Sequence, residues 1–295
     1  MIKVALNGGL GNQLFQYAAG RALSVVNNTE LCFDIIPLYS KLQLSTLASY
    51  RKFELDVFSI QANTNDFFFK NKYLYPIGKL QFFLNRYYNR WKYSYYRETD
   101  FAFDPVVLEM PDNTYLDGHF QSEKYFKSIE SIISKELTFK LPLTDENNFW
   151  KQKIENSLAV SIHIRRGDYA SLQKNLRKHG VVPLDYYYRA IRYLSAKITN
   201  PVFFIFTDDT DWVKDNFKCD FPFYIIENNN HAETSYADMQ LMSLCSHQII
   251  ANSTFSWWGA WLNANPEKIV IAPENWFVDS SIDSKDIYPP EWIKL

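Results

Sequence analysis

Five short apolar runs in this chain each end in a polar or glycine-rich turn, and helix-patterned sequence follows. They are IKVAL (2–6) before NGGLGN, AVSIHI (159–164) before RRGDY, VFFIF (202–206) before TDDTD, FYII (223–226) before ENNNH, and QIIAN (248–252) running into NSTFS. Short continuous apolar runs read as strands buried on both faces. The stretches QLFQYAAGRALSVV (13–26), PLDYYYRAIRYLSAKI (183–198) and AETSYADMQLMSLCSH (232–247) carry helical spacing, with Pro183 suited to a first turn. Strands that alternate with helices predict an α/β protein whose parallel sheets are covered on both sides. Ligands of such folds bind beyond the carboxyl ends of the strands. Five polar strand ends therefore point to a polyanionic or sugar ligand held between crevice walls.

The 295 residues suffice for two domains of ordinary size. The polar, proline-containing LPLTDENN (141–148) suggests the boundary, giving domains 1–150 and 151–295. The first carries an insertion at about 37–110, and the C-terminal tail of the second is a candidate to cross back. A net charge of −2 excludes a general polyanion binder, so no nucleic-acid partner is expected and any basic site must be local. Cys32, Cys219 and Cys245 are odd in number and lack metal-ligand spacing, which fits a reducing compartment without a disulfide framework. No secretory leader pattern and no apolar run long enough to span a bilayer is found, so a cytoplasmic location is expected, with the inner face of the membrane as a candidate seat. The aromatic stretch 66–97 holds one acid, Asp66, against seven Lys or Arg, and roughly 79–92 reads as a helix. The favoured reading is a helical insertion packed on its domain; the others are peripheral membrane contact and an acceptor groove.

Along a strand Ser161, His163 and Arg165 share one face. A guanidinium presents a planar, permanently charged fork that matches phosphate, so Arg165 suits a diphosphate leaving group. Arg166 holds Asp168 or shapes the turn. The alternative is a structural ion pair of an arginine with Asp168, Asp208 or Asp209. His163 reads as a core histidine or a tentative catalytic neighbour. NGGLGN fits neither the dinucleotide fingerprint nor a Walker loop. Its glycines still allow close backbone approach, and Asn12 and Gln13 suit a sugar; the alternative is a tight turn. Ser253, Thr254 and Ser256 serve as helix caps or, with free amides, bind phosphate. Trp257, Trp258 and Trp261 read as core anchors. Asp209 and Asp211 suit a divalent metal or a helix cap. Asp238 matches the donor edge of guanine or faces solvent. No serine sits in a nucleophile elbow, so a hydrolase triad has no support.

Together, GGLGNQLFQYAAGRAL (8–23), LDGHFQSEKYF (116–126), HIRRGDY (163–169), FTDD (206–209) and NSTFSWWGAWLN (252–263) resemble the glycosyltransferase family 11 α-1,2-fucosyltransferases, in that family's order. Only the 37–110 region lacks a matching motif. The resemblance implies a GT-B architecture, two Rossmann-like domains with a cleft between them, the first on the acceptor side and the second binding GDP-fucose. It implies inverting transfer of fucose from GDP-β-L-fucose to the 2-hydroxyl of a terminal β-galactoside, without cofactor or metal. The acceptor partner would be a galactoside-terminated oligosaccharide or glycolipid. The implied donor set is Gly11, Asn12, Gln13, Arg165, Arg166, Asp208, Asp209, Asp238 and Ser253, Thr254, Phe255 and Ser256. Within it Arg165 meets the diphosphate with His163 behind it, Asp238 holds guanine, and Asn12 faces the sugar. His119, Gln121, Glu123 and Tyr169 form the implied acceptor side. The base is open among Asp168, Glu123 and His119. Two other readings compete: a metal-dependent GDP-sugar transferase using Asp209 and Asp211, and a GDP-sugar-binding protein that turns nothing over.

Overall fold

The first apolar run forms β1 (Ile2–Ala5) in the computed structural model, which describes residues 1–39, 52–60, 62–64, 79–167, 176, 180–229 and 234–295. After it come α1 (Leu10–Val26), β2 (Leu31–Asp34), β3 (Asn63–Thr64), α2 (Lys79–Lys92), β4 (Ser94–Arg97), α3 (Val106–Glu109), β5 (Thr114–Asp117) and α4 (Glu130–Glu136). The later part holds α5 (Asp145–Glu155), β6 (Leu158–Ile164), α6 (Leu184–Ser195), β7 (Pro201–Thr207), α7 (Thr210–Asn216) and β8 (Phe223–Ile226). It ends with α8 (Tyr236–Leu244), β9 (His247–Ile249), α9 (Thr254–Trp261), β10 (Val270–Ala272) and β11 (Ile293–Lys294). Two compact units result, Met1–Lys140 with Lys285–Ile287, and Leu141–Ser284 with Tyr288–Leu295. Helix α5, capped by the Thr144 side chain, belongs wholly to the second unit. Asp286 belongs to the first, where it accepts from the Phe103 amide (3.0 Å) and pairs with Lys124 (2.5 Å).

Each unit is built on one parallel sheet, ordered β3-β2-β1-β5-β4 in the first and β11-β10-β9-β6-β7-β8 in the second. The continuous apolar runs account for this, since the inner strands β1 and β6 are covered on both faces and almost wholly buried. Ile162 lies opposite Ile205 on one side and Ile249 on the other. Tyr186, Tyr187, Ala190, Ile191 and Leu194 line one face of α6 and pack on Val160, Ile162 and Ile164. Each fully buried side chain of this size contributes about 1.5–3 kcal/mol. The Tyr186 hydroxyl, within 2.8 Å of the Ile250 carbonyl and 3.0 Å of that of Ile271, fixes α6 against the strand ends.

Helix α1 begins at Leu10, three residues earlier than the periodicity places it. The amides of Asn12 and Gln13 bond back to the Gly9 carbonyl at 3.0 and 3.1 Å. Gly11, Asn12 and Gln13 therefore lie in a helical first turn rather than in a glycine loop. Gly8 supplies the bend with φ +75°, and a Cβ there would lie 2.3 Å from Asn12 Nδ2.

Helix α2 forms over 79–92, and its inward face is polar. Asn85 and Asn89 donate to Asp34 Oδ2 at 2.7 and 3.1 Å, and the Tyr115 hydroxyl donates to the same oxygen at 2.9 Å. The Ile36 amide donates to Asp34 Oδ1 at 3.0 Å, and Lys3 Nζ donates to Asn89 Oδ1 at 3.2 Å. Arg86 pairs with Asp117 at 3.1 Å. A surface helix ordinarily turns its apolar stripe inward; here a fully buried carboxylate holds the helix by its amides instead. Residues 66–78 of the aromatic stretch lie outside the described residues. Replacing Asp34 by Ala strands three buried donors. Urea unfolding of the first unit is expected to lose about 3 kcal/mol; a loss below about 1 kcal/mol would show that α2 is held otherwise.

Candidate functional site

Both sheets reverse strand order once, between β6 and β9 in the second unit and between β1 and β5 in the first. Helices leave on opposite faces at such a point, and a crevice opens at the carboxyl ends of the strands. In the second unit Arg165 follows β6, Asp208 and Asp209 follow the adjacent β7, and Asn252–Ser256 follow β9.

Asp208 organises this edge. Its Oδ2 is 2.9 Å from Arg165 Nη1, and its Oδ1 accepts from the Arg166 amide at 2.8 Å. A Cβ on residue 167 would lie 2.5 Å from Oδ2, so a side chain there must displace the carboxylate. Arg166 turns the other way. Its Nε is 3.3 Å from Asp209 Oδ2, and its guanidinium carbon lies 3.6 Å from the centre of the Trp212 ring. Asp209 also accepts from the Trp212 amide at 3.4 Å and so caps α7. The two arginines thus divide by partner: Arg166 is fastened to α7 through Asp209 and Trp212, while Arg165 pairs with Asp208 at the end of β7; both are partly exposed. Arg166 braces the turn through Asp209 and Trp212; Asp168, its other expected partner, and Tyr169 lie outside the described residues.

His163, on Arg165's face of β6, is buried with its ring 5.8 Å from that of Phe255. Burial, reinforced by the Arg165 cation, pulls its imidazole down to about 3. Its Nδ1 has no hydrogen-bond partner. A buried ring that stays neutral near pH 7 matches the core-histidine alternative for His163. Ser253 is the extended residue before α9; its side chain makes no capping bond, and no acid stands in the first turn. Ser256 Oγ donates to the Ser253 carbonyl at 3.3 Å and is buried. The α9 N-terminus therefore keeps its partial positive charge. Trp257 and Trp258 behind it are wholly buried core anchors.

Asp238 sits in the first turn of α8, buried, and accepts from Asn229 Nδ2 at 2.8 Å. Asn229 and Asn147 exchange two amide hydrogen bonds of 2.8 and 3.0 Å, which fixes the donor's orientation. Burial lifts the Asp238 carboxyl to about 7 against the opposing pull of Asn229. Neither asparagine is singled out by sequence, since one falls in a helix of polar residues and the other in a run of four polar positions.

In the first unit, the switch point joins the start of α1 to the segment after β5. Gln121 Nε2 donates to Asn12 Oδ1 at 3.0 Å, and Gln16 bridges the Asn7 amide and the Gly118 carbonyl, both at 3.0 Å. Gln13 is wholly buried. Its amide nitrogen donates to the carbonyls of Gly8 (3.0 Å) and Lys52 (2.8 Å), and its oxygen accepts from the Glu54 amide (3.0 Å). The Gln13 amide is turned into the fold, where it braces the start of α1. Glu123 is buried 3.4 Å from Lys127 Nζ. The His119 ring stacks on Phe101 with centroids 5.7 Å apart. Glu98 accepts from the amides of His119 (2.6 Å) and Phe120 (3.0 Å), and burial raises its carboxyl to about 7. Glu98 escaped the sequence reading because its partners lie 21 and 22 residues away, outside any motif.

The fold is shared with a solved structure. A variant of FUT1 from Arabidopsis thaliana, solved in complex with GDP, superposes with a TM-score of 0.52 at 10% identity, covering 98% of this chain and 74% of that chain. Two parallel-sheet units of this kind define an α/β protein of the GT-B class. The chain belongs to glycosyltransferase family 11, whose family model matches residues 1–295. Among its relatives is the O-antigen biosynthesis glycosyltransferase WbnK of Escherichia coli, 32% identical over 98% of this chain and 99% of the relative. An α-1,2-colitosyltransferase of Escherichia coli is 33% identical over 100% of this chain and 99% of the relative.

Gly167→Ala forces a methyl group against Asp208. The expected result is a loss of about 1–3 kcal/mol in unfolding free energy together with weakened ligand binding at the crevice; unchanged stability would mean that Asp208 is not clamped as described.

Proposed function

We propose that this glycosyltransferase moves fucose from GDP-β-L-fucose to the 2-hydroxyl of a terminal β-galactoside, with inversion and without a metal ion or cofactor. The observation that carries the reading is that Arg165 and the N-terminus of α9, which the Ser253 side chain does not cap, both stand at the second unit's switch point. A partly exposed guanidinium and helix amides on one edge are what a diphosphate requires. The family and the name of the colitosyltransferase relative support the α-1,2 linkage. They also support a second donor, GDP-colitose, since colitose is fucose without its 3-hydroxyl.

In this mechanism the acceptor oxygen attacks the anomeric carbon while that carbon's bond to the diphosphate breaks on the opposite face. Arg165 and the α9 amides offset the charge that gathers on the departing phosphate. Phosphate takes the place of the Asp208 carboxylate on Arg165, while Asp208 keeps its hold on the Arg166 amide. Asp238 accepts from the N1–H and N2–H groups of guanine, with Asn229 fixing its plane. Asn12 and Gln121 face the sugar and acceptor. The acceptor's proton passes to Asp168, Glu123, His119 or water. Both oxygens of Glu98 are engaged by backbone amides, which suits it to hold His119 in place. Asp209 is already engaged by Arg166 and the Trp212 amide, which favours this reading over metal binding at Asp209 and Asp211. The acceptor class proposed is a galactoside-terminated oligosaccharide or glycolipid, met in the cytoplasm.

Turnover of GDP-fucose and GDP-colitose with lactose, with and without EDTA, tests the reading. Activity is expected to survive EDTA, to fall about 10²–10³-fold in kcat/KM in Arg165→Ala, and to recover only partly in Arg165→Lys, which keeps charge but loses the fork. Loss of activity in EDTA would establish the metal-dependent alternative, and tight GDP binding with no turnover of any acceptor the idle binder. The raised Asp238 carboxyl sets a second expectation. Guanine needs the ionised acid, so below about pH 7 binding must expel a proton. GDP affinity should rise with pH and level off above about 7, with proton release seen by calorimetry in buffers of different ionisation enthalpy; Asp238→Asn should bind weakly and show neither effect.

A further inference from the structure

Helix α2 presents its apolar side to solvent. Phe83, Leu84, Tyr87, Tyr88 and Trp91 follow helical spacing and are all exposed, Tyr87 by 73% and Trp91 by 80%. The helix cannot roll to bury this stripe, because its other side is fastened through Asn85 and Asn89 to the buried Asp34. The stripe is flanked by cations. Residues 79–97 contain no Asp or Glu, and of their five Lys or Arg, Arg86 is paired with Asp117 while Arg90 and Lys92 lie beside the stripe. Arg90 lies 5.3 Å from the Tyr95 ring centre, and Lys92 lies 5.3 Å from that of Tyr88.

We propose that α2 seats the protein on an anionic lipid surface, lying in the plane of the interface with its tyrosines and tryptophan at headgroup level. Tyrosine and tryptophan rings have an apolar body and a polar edge, which suits that depth. An amphipathic helix with cations beside its apolar stripe binds by burial and by attraction to anionic headgroups together. The charges decide against a second copy of the chain as the occupant. Pairing two such stripes about a two-fold axis would bring Arg90 and Lys92 of one copy to the same cationic stripe of the other, with no acid in residues 79–97 of either to offset them. None of the described helices is long and apolar enough to cross a membrane, so the contact is peripheral and reversible.

The test is co-sedimentation of the full chain with vesicles of phosphatidylcholine alone and with about a third phosphatidylglycerol. Binding is expected only to the anionic vesicles, weakening at least about tenfold as salt is raised from about 0.05 to 0.5 M. The double variant Tyr87→Ser/Trp91→Ser should lose at least about tenfold in vesicle affinity with its melting temperature and its turnover of soluble acceptors unchanged. Failure to bind either vesicle, or equal binding by the double variant, overturns the proposal. So does a concentration-dependent dimer, seen by light scattering, that the double variant abolishes while vesicles leave the chain in solution; that result would assign the stripe to a second copy.

Discussion

The two oxygens of Asp208 do different work at the end of β7. One receives the Arg166 amide and so ties the end of β6 to that of β7; the other faces the Arg165 guanidinium. A partly exposed ion pair of this kind adds only about 0–1 kcal/mol to stability. Its value is orientation. Arg165 is held against Asp208 at the strand edge, and its charge is balanced there. Because the pair is weak, the proposed exchange of carboxylate for diphosphate on Arg165 would cost little, and Asp208 would keep its contact with the Arg166 amide. The glycine at 167 is a requirement of that clamp, since a side chain there would occupy the carboxylate's position.

The first unit meets the same problem with amides instead of charges. Gln16, Gln121 and Asn12 link the start of α1 to the segment after β5, so both walls of that switch point move as one. Glu98 extends the bracing by holding two consecutive amides at Phe120, whose φ of +53° needs external support.

The α/β class was legible because parallel strands covered on both faces leave unbroken apolar runs, as in AVSIHI and VFFIF. The edge where chemistry gathers was legible for a related reason: a core sheet has no use for RRGDY or TDDTD except at its rim. Other features were not legible. Which arginine faces the crevice depends on the Trp212 ring and the Asp209 carboxylate, which only the fold brings to residue 166. Gln13 and Gln121 look alike in sequence, yet one is turned into the fold and the other toward Asn12. Asn229 acts through a partner 82 residues away. The orientation of α2 runs against the amphipathic rule outright. Its aromatic residues suggest an inward face, and only the buried Asp34, 51 residues from Asn85, reverses it.

That reversal has a thermal consequence. Detaching α2 exposes the Asp34 carboxylate and the Asn85 and Asn89 amides at its seat, and polar exposure lowers heat capacity where apolar exposure raises it. The attachment therefore lacks the strongly curved temperature dependence of the cores beside it. Its hold is set by hydrogen-bond enthalpy and slackens steadily on warming, while the sheet beneath still draws on the hydrophobic term. Cold, which weakens hydrophobic cores, leaves this seam comparatively untouched.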